Sequence, residues 1–191
     1  MAINLQKGGR INLEKEAPGL SNIHLGLGWD LRKTDGSDFD LDASVLMLDQ
    51  DDKAIGEGGF VFYNTSTSAC GSVKHLGDNR TGAGEGDDEV LTVELSKVPE
   101  SVAKMLIAVT IHEADERNQN FGLIDNAFVR VVNKDTGEEI ARYDLTEDYS
   151  AETSLIFGEL YKKDGSWRFA AKGEGFAGGL SAFLGTYGLG S

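Results

Sequence analysis

An all-β fold, a mainly antiparallel two-sheet β-sandwich with short helices, is the fold class that this 191-residue sequence predicts. Its apolar segments are short and rich in β-branched and aromatic residues, which is typical of strands. The chain has 25 glycines and only two prolines, a composition that suits many tight turns. Asp164-Gly165 lies between two apolar segments and is a strong signal for a β-hairpin.

The strands follow one another along the whole chain. Leu91 and Val93 alternate with polar residues, which indicates a strand with one buried face. Residues 105–111 are almost entirely apolar, which indicates a strand covered on both faces or a central strand. The predicted strands are 22–28, 43–48, 60–63, 90–95, 105–111, 127–132, 139–145, 154–161 and 166–171. Turns are predicted at 49–52 and 133–137.

Helices are a minor component of the predicted fold. Residues 99–104 and 113–118 each favour one or two turns of helix. The apolar, glycine-punctuated stretch 176–187 is predicted to be a terminal helix that packs on the sandwich. Because neither an internal repeat nor a Pro- or Ser-rich linker interrupts the sequence, we expect residues 1–191 to form a single domain.

The charge and the cysteine content exclude several functions. The formal net charge is −14, so nucleic-acid phosphate and anionic lipid would repel the chain, and no direct nucleic-acid binding is expected. Cys70 is the only cysteine, which excludes an internal disulfide and a thiolate metal cluster. The sequence shows neither a signal-peptide pattern nor a transmembrane segment, so a cytoplasmic protein is expected.

Half of the net charge is concentrated in two acidic loops. Residues 30–42 contain five carboxylates and two basic residues, and residues 78–89 contain five carboxylates and one basic residue. Carboxylates this close repel one another unless the loop is open to solvent or a cation neutralises them. Calcium takes six to eight oxygen ligands and is the cation that such loops favour, although solvated turns are the simpler alternative.

The spacing within each loop suggests how the carboxylates are arranged. Asp38, Asp40 and Asp42 alternate with apolar residues, so an extended segment would place the aspartates on one side and the apolar anchors on the other. By the same argument Asp87 and Glu89 would face one way and Asp88 the other. An EF-hand is rejected because Ala43 occupies the position of the invariant glycine and no helix pair flanks either loop.

Motifs in and beyond these loops resemble the TerD family of tellurium-resistance and general stress proteins. The acidic-loop matches are Gly26-Leu-Gly-Trp-Asp30, Asp38-Phe-Asp-Leu-Asp-Ala-Ser44, Phe62-Tyr-Asn64, Gly77-Asp-Asn-Arg-Thr-Gly82 and Gly86-Asp-Asp-Glu89. Further matches are Thr110-Ile-His-Glu-Ala114, Asn120-Phe-Gly122, Ala141-Arg-Tyr-Asp-Leu145, Gly158-Glu-Leu-Tyr161 and Phe176-Ala-Gly-Gly-Leu180. The resemblance runs nearly end to end and implies a calcium-binding β-sandwich of the bacterial cytoplasm.

The resemblance also implies a set of ligands for two adjacent Ca2+ ions. The acidic ligands by position are Asp30, Asp40, Asp42, Asp78, Asp87, Asp88 and Glu89. Asn79, Arg80 and Gly84 would contribute mainly backbone oxygen. Asp38 and Glu113 are further candidates, while Glu85 is left out because relatives often carry Asp at that place.

The expected function is a stress-response module rather than an enzyme. His24, His75 and His112 lack the spacing of a catalytic triad or of a zinc motif, so no catalytic residue is assigned. Two ions would order a surface for other stress-response proteins, including members of a membrane-associated complex. The alternatives are a metal-dependent phosphoester hydrolase, a protein that binds a phosphate ligand through its metal, and a scaffold whose acidity gives only solubility.

Overall fold

The computed structural model describes residues 2–31, 39–76, 86–145, 151–176 and 178–189, with the side chains of residues 31 and 176 left aside. Within these ranges the chain forms twelve strands and three short α-helices. The strands are β1 (Ile3–Leu5), β2 (Arg10–Asn12), β3 (Asn22–Leu31), β4 (Leu41–Leu48), β5 (Phe60–Val61), β6 (Val73–His75), β7 (Glu89–Glu94), β8 (Lys104–Ile111), β9 (Ile124–Asn133), β10 (Glu139–Asp144), β11 (Ser154–Lys163) and β12 (Ser166–Phe176). The helices are α1 (Leu13–Glu16), α2 (Ala114–Arg117) and α3 (Gly179–Thr186).

Two six-stranded sheets face each other, which confirms the predicted sandwich. The first sheet has the order β1-β10-β9-β3-β7-β6, and the second has the order β2-β12-β11-β8-β4-β5. Only the β1–β10 pair among these described strands is parallel. Alternating side chains of the two inner faces form the core, as Leu91 and Val93 of β7 and Ile107 and Val109 of β8 illustrate.

A smaller apolar cluster lies on the outer face of the second sheet. Helix α3 packs there and buries Phe183 completely against Leu46, Leu106 and Ile156. This contact confirms the predicted terminal helix and explains why β4 and β8 are apolar on both faces. None of the helices in the described ranges is long and apolar enough to cross a membrane.

Most strand predictions are confirmed, with differences at edges and connections. β1, β2 and β6 have three residues each, too few to carry a periodic signal, and were not predicted. The predicted helix at 99–104 is wrong. Val102 is buried in the core, and the backbone N–H of Ala103 donates to the Leu48 carbonyl at 2.9 Å, so tertiary contacts overrode local helix propensity.

One end of the sandwich collects the residues singled out from the acidic loops. Leu27 of β3 pairs with Glu89 at the start of β7, and Asp30 pairs with Asp125 of β9. In the second sheet, Leu41 at the start of β4 pairs with Ile111 at the end of β8. We call this part of the molecule the acidic end.

Candidate metal centre

The acidic end has two separate pairs of carboxylates among the described residues. Asp42 and Glu89 form one pair, across the gap between β4 and β7. Asp30 and Asp88 form the other, beyond Leu27–Glu89, the last pair between β3 and β7. Like charge acts within each pair, since Asp42 raises the pKa of Glu89 and Asp30 raises that of Asp88. Binding of two Ca2+ ions by these carboxylates stays a prediction.

Glu89 is a buried carboxylate that links the two sheets. Its side chain has 0% exposure, and its Oε2 accepts hydrogen bonds from the Ala43 backbone N–H at 2.7 Å and from His75 Nε2 at 3.1 Å. Burial raises the pKa of Glu89 to about 7, and the charge of Asp42 adds to the rise, while the bonds from His75 and Ala43 oppose it. Ionised Glu89 is therefore costly in the metal-free protein.

Asp88 and Asp30 line a more open cleft of about 340 Å3. Asp88 Oδ2 accepts the Trp29 backbone N–H at 2.8 Å, and Asn126 Nδ2 donates to Asp30 Oδ2 at 2.8 Å. Burial raises the pKa of Asp88, and the charges of Asp30 and Asp87 add to that rise. Both carboxylates are thus held in place by protein donors while they border solvent.

Two of the predicted ligands present oxygens that lack protein donors. Asp40 Oδ1 and Glu89 Oε1 are buried and have no hydrogen-bond partner among the described residues. Phe39 and Leu41, which flank Asp40, are 3% and 1% exposed, so the predicted alternation of anchors and carboxylates is confirmed here. Buried carboxylate oxygens without a partner call for an explanation, and an oxygen-only donor set fits Ca2+.

Asp87 occupies a different environment, on the outer face of the first sheet. Arg130 Nε and Nη2 donate to its two oxygens, each at 2.8 Å, and His24 Nε2 lies 3.0 Å from Oδ2. Although burial opposes the effect, the bonds and charges of Arg130 and His24 keep the pKa of Asp87 below its ordinary value. Ligation of metal by Asp87 stays a prediction, but it would compete with these three contacts.

The prediction that Asp87 and Glu89 face the same way is wrong. Asp87 and Asp88 precede β7, which begins at Glu89, and the backbone bends at Gly86 and again at Asp88, so the alternation of sides in an extended segment does not apply there. Asp87 then lies over Gly26, whose hydrogen leaves the necessary space. A Cβ at that position would clash with the Asp87 carboxyl group, so a larger residue at position 26 would displace Asp87 from this place.

The remaining predicted ligands are placed less directly. Asp38, Asp78, Asn79, Arg80 and Gly84 lie outside the described residues. Glu113 is half-exposed near α2, where Arg117 Nη2 donates to it at 2.9 Å. It lines a cleft of about 270 Å3 with Asp42. Within the described ranges no three His, Cys, Asp or Glu residues are grouped closely enough to hold an ion.

Sequence reasoning missed several residues that position the site, namely Asn126, Arg130 and Arg142, as well as the pairing of His24 and His75 with carboxylates. Arg130 stands between two buried valines of β9, and a lone cation within such a strand could have signalled a buried ion pair. Nothing local could have paired His75 with Glu89, because that contact depends on the three-residue strand β6.

Asn126→Gly tests whether the held geometry of Asp30 matters. Asn126 has φ of +51°, so glycine keeps the backbone conformation and removes only the amide that fixes Asp30. Loss of a ligand's supporting hydrogen bond should weaken calcium binding about tenfold. Isothermal titration calorimetry measures this effect, and unchanged affinity would show that the Asn126 contact is irrelevant to binding.

The fold and the acidic end together define a class, a β-sandwich with clustered carboxylates at one end, and sequence comparison identifies the family. The sequence model of the TerD domain matches residues 1–187. The tellurium resistance protein TerD of Serratia marcescens is 53% identical over 189 residues, which cover 99% of this chain and 98% of that protein. General stress protein 16U of Bacillus subtilis (strain 168) is 53% identical over 190 residues, with 99% and 98% coverage. The chain belongs to the TerD family.

Solved structures support the same fold. A homologue of telluride resistance protein (TerD) from Streptomyces coelicolor A3(2) superposes with a TM-score of 0.71 at 25% identity, covering 86% of this chain and 95% of that one. A second solved protein, described as of unknown function, superposes with a TM-score of 0.69 at 23% identity and shares the fold.

Proposed function

We propose that this protein is a calcium-binding stress-response module of the bacterial cytoplasm that acts by binding rather than by catalysis. The names of its relatives refer to tellurium resistance and general stress, and the family resemblance implies calcium. Two Ca2+ ions at the acidic end would order the acidic loops and create a surface for other stress-response proteins, including members of a membrane-associated complex.

The observation that carries this proposal is the pair of buried oxygens without donors. Asp40 Oδ1 and Glu89 Oε1 belong to residues that the sequence resemblance selects as ligands. Leaving such oxygens unpaired costs on the order of 1–3 kcal/mol each, and more when the group is charged. Bound calcium would supply the missing positive charge and replace the absent donors.

The chain's own residues prepare this end for a cation. The Ala43 N–H and His75 fix one oxygen of Glu89 and thereby leave the other for a ligand. Trp29 fixes Oδ2 of Asp88 with its backbone N–H. The described carboxylates do not complete a site, so further ligands are expected from residues 78–84, as the resemblance implies.

Calorimetric titration of chelator-stripped protein with calcium is the decisive test, with magnesium as the comparison ion. Two sites that prefer calcium are expected, together with a higher melting temperature, because metal that binds only the folded state stabilises it. Asp42→Asn and Asp88→Asn should each weaken calcium binding about tenfold or more.

Asp164→Asn is the matched control for these variants. It removes one negative charge at the tip of the β11–β12 hairpin, and asparagine tolerates the φ of +53° there. Calcium affinity should change less than about twofold in this variant. If the wild type releases no heat on titration with calcium and its melting temperature does not change, the acidic loops are solvated turns and the proposal is wrong.

Arg142 favours a second candidate, in which an anionic ligand completes the metal coordination. Its guanidinium lies over the Phe128 ring at 3.9 Å, and it lines the same cleft as Asp30 and Asp88. A guanidinium beside a cation site suits a phosphate or carboxylate that bridges the two. A phosphoester hydrolase, or a protein that binds phosphate through metal, would use this arrangement.

Calcium-dependent binding or turnover on a panel of phosphoesters distinguishes this second candidate. Arg142→Gln should abolish binding of the anion and leave calcium affinity within about twofold, since Arg142 already pairs with Asp144. Turnover that Asp88→Asn removes would favour the hydrolase. Lack of both binding and turnover would leave the protein-binding module.

A further inference from the structure

A cleft of about 270 Å3 lies next to helix α2 and shares Asp42 with the acidic end. The end of β8, helix α2 and the start of helix α3 contribute to its lining. We call this feature the α2 cleft. Its described lining residues include four carboxylates but neither lysine nor arginine, so the α2 cleft favours a positively charged ligand.

Two of the four carboxylates are available to such a ligand. Asp42 is a predicted calcium ligand, and Glu113 already accepts a hydrogen bond from Arg117 Nη2 at 2.9 Å. Asp115 and Glu116 are exposed, and neither forms an ion pair with a residue that the structure describes. Since acidic residues are common in the first turn of a helix, these two alone do not define a site.

A buried hydroxyl in the same lining provides independent evidence for a ligand. Thr153 lies directly before β11 and is only 6% exposed, yet it lines the α2 cleft. Its Oγ1 has no hydrogen-bond partner among the described residues. A buried hydroxyl without a partner is costly, and rotation about χ1 can turn it toward an N–H donor in the cleft.

Tyr63 is an aromatic lining residue that suits a guanidinium group. It is 43% exposed, and its ring packs edge-on against Phe62 with 5.3 Å between the ring centroids. A planar guanidinium stacks on such a ring while its N–H groups bond to carboxylates, whereas the ammonium group of lysine is a point charge. The α2 cleft therefore favours arginine over lysine.

The start of α3 favours an arginine within a peptide chain over a free organic cation. Gly178, the residue before this helix of eight residues, provides no side-chain hydrogen bond to cap it. The first backbone N–H groups of a helix have no acceptor within the helix, so they suit the carbonyl oxygen of a peptide. An arginine residue in a chain carries both this carbonyl and the guanidinium.

We propose that the α2 cleft binds an arginine residue that a partner protein exposes. Asp115 and Glu116 pair with the guanidinium, Thr153 accepts one of its N–H groups, and the Tyr63 ring stacks on it. A backbone N–H at the start of α3 donates to the main-chain carbonyl of the same arginine. This inference rests on the proposed function, because it names the chemistry that the partner of the stress-response module presents.

NMR titration of the full chain with N-acetyl-arginine-N-methylamide tests this inference, in calcium-saturated and in chelator-treated protein at constant ionic strength. We expect saturable shifts of the backbone amides of Glu116, Thr153 and Gly179. The corresponding lysine compound should bind more weakly, and so should butylguanidinium, which has no carbonyl. Equal affinity for all three compounds would overturn the inference, because it would report only attraction to an acidic surface.

Thr153→Val separates a binding role of the hydroxyl from a structural one. Valine keeps the branched shape, so the stability of the unliganded protein should not fall, whereas affinity for the blocked arginine should fall about fivefold. Ser154→Ala is the matched control, since it removes another buried hydroxyl that has no described partner and does not line the cleft. Unchanged arginine affinity in Thr153→Val would contradict the inference.

Variants of the charged and aromatic lining complete the test. Glu116→Gln and Tyr63→Leu should each weaken arginine binding about fivefold or more, whereas Asp164→Asn, at the distant hairpin tip, should change it less than about twofold. Equal losses in Glu116→Gln and Asp164→Asn would refute a specific site. Calcium binding without arginine binding overturns this inference alone, and arginine binding without calcium binding overturns the calcium site alone.

Discussion

Glu89→Gln is expected to stabilise the metal-free protein at pH 8 and, in the same molecule, to weaken calcium binding about a hundredfold. Burial raises the pKa of wild-type Glu89 to about 7 in the folded state, against an ordinary value of 4.5, so the side chain must ionise inside the protein as the pH rises. Glutamine keeps the shape and the acceptor for Ala43 and His75 but carries no charge. Calcium, however, needs the charged oxygen.

The sign of the pH dependence follows from proton binding. Between pH 4.5 and about 7 the folded protein binds more protons at Glu89 than the unfolded chain does. Stability of the metal-free wild type therefore falls as the pH rises through this window, by about 3 kcal/mol at most. Glu89→Gln lacks this component, so its advantage should appear at pH 8 and vanish near pH 4.5.

Denaturant unfolding at pH 5 and pH 8, with and without calcium, measures both effects. The control is Glu94→Gln, at the other end of β7, where an exposed glutamate pairs with Lys97 at 3.0 Å. That change should alter stability by no more than about 0.5 kcal/mol and leave calcium affinity intact. A Glu89→Gln protein that is less stable than wild type at pH 8 would contradict the assigned cost of the buried charge.

The architecture was largely readable from sequence because the central strands carry their own signal. The alternation of Leu91 and Val93 and the apolar run of β8 depend only on which faces are buried. Strands β1, β2 and β6 are different. Each has only three residues and forms because it pairs with a neighbouring strand, not because its sequence shows an alternation of apolar and polar residues. Short edge strands therefore cannot be predicted from the local sequence pattern.

The candidate site was predictable by residue type but not by orientation. Clustered carboxylates and the apolar anchors Phe39 and Leu41 were visible in the sequence, and the structure buries both anchors. The orientation of Asp87 was not predictable, because it depends on the bends that precede β7 and on the space above Gly26. Tertiary geometry thus divides neighbouring aspartates between different environments.

The two roles open to Asp87 predict opposite results for Asp87→Asn. If the ion pair with Arg130 dominates, the metal-free protein should lose about 2–3 kcal/mol of unfolding free energy, because Arg130 and His24 would face an uncharged amide. The estimate is lower than for a fully buried pair, since Arg130 is 31% exposed. Calcium affinity should then change little.

Acid titration supplies an independent check on this ion pair. The pKa of Asp87 is lowered in the folded state, so its contribution to stability is present above the ordinary value of 3.8 and is lost as the pH falls below it. The difference between wild type and Asp87→Asn should therefore be constant near pH 6 and shrink below about pH 4. Chemical denaturation at pH 6, pH 4 and pH 3 measures it.

Asp144→Asn is the control for Asp87→Asn. It shows how much stability is lost when an arginine loses a partner at an exposed position. Asp144 pairs with Arg142 at 2.9 Å but is 52% exposed, so its substitution should cost about 0.5 kcal/mol or less. If Asp87→Asn instead keeps full metal-free stability and lowers calcium affinity tenfold, Asp87 is a ligand and must leave Arg130 when metal binds. The bidentate geometry, with both Asp87 oxygens already held at 2.8 Å, favours the structural role.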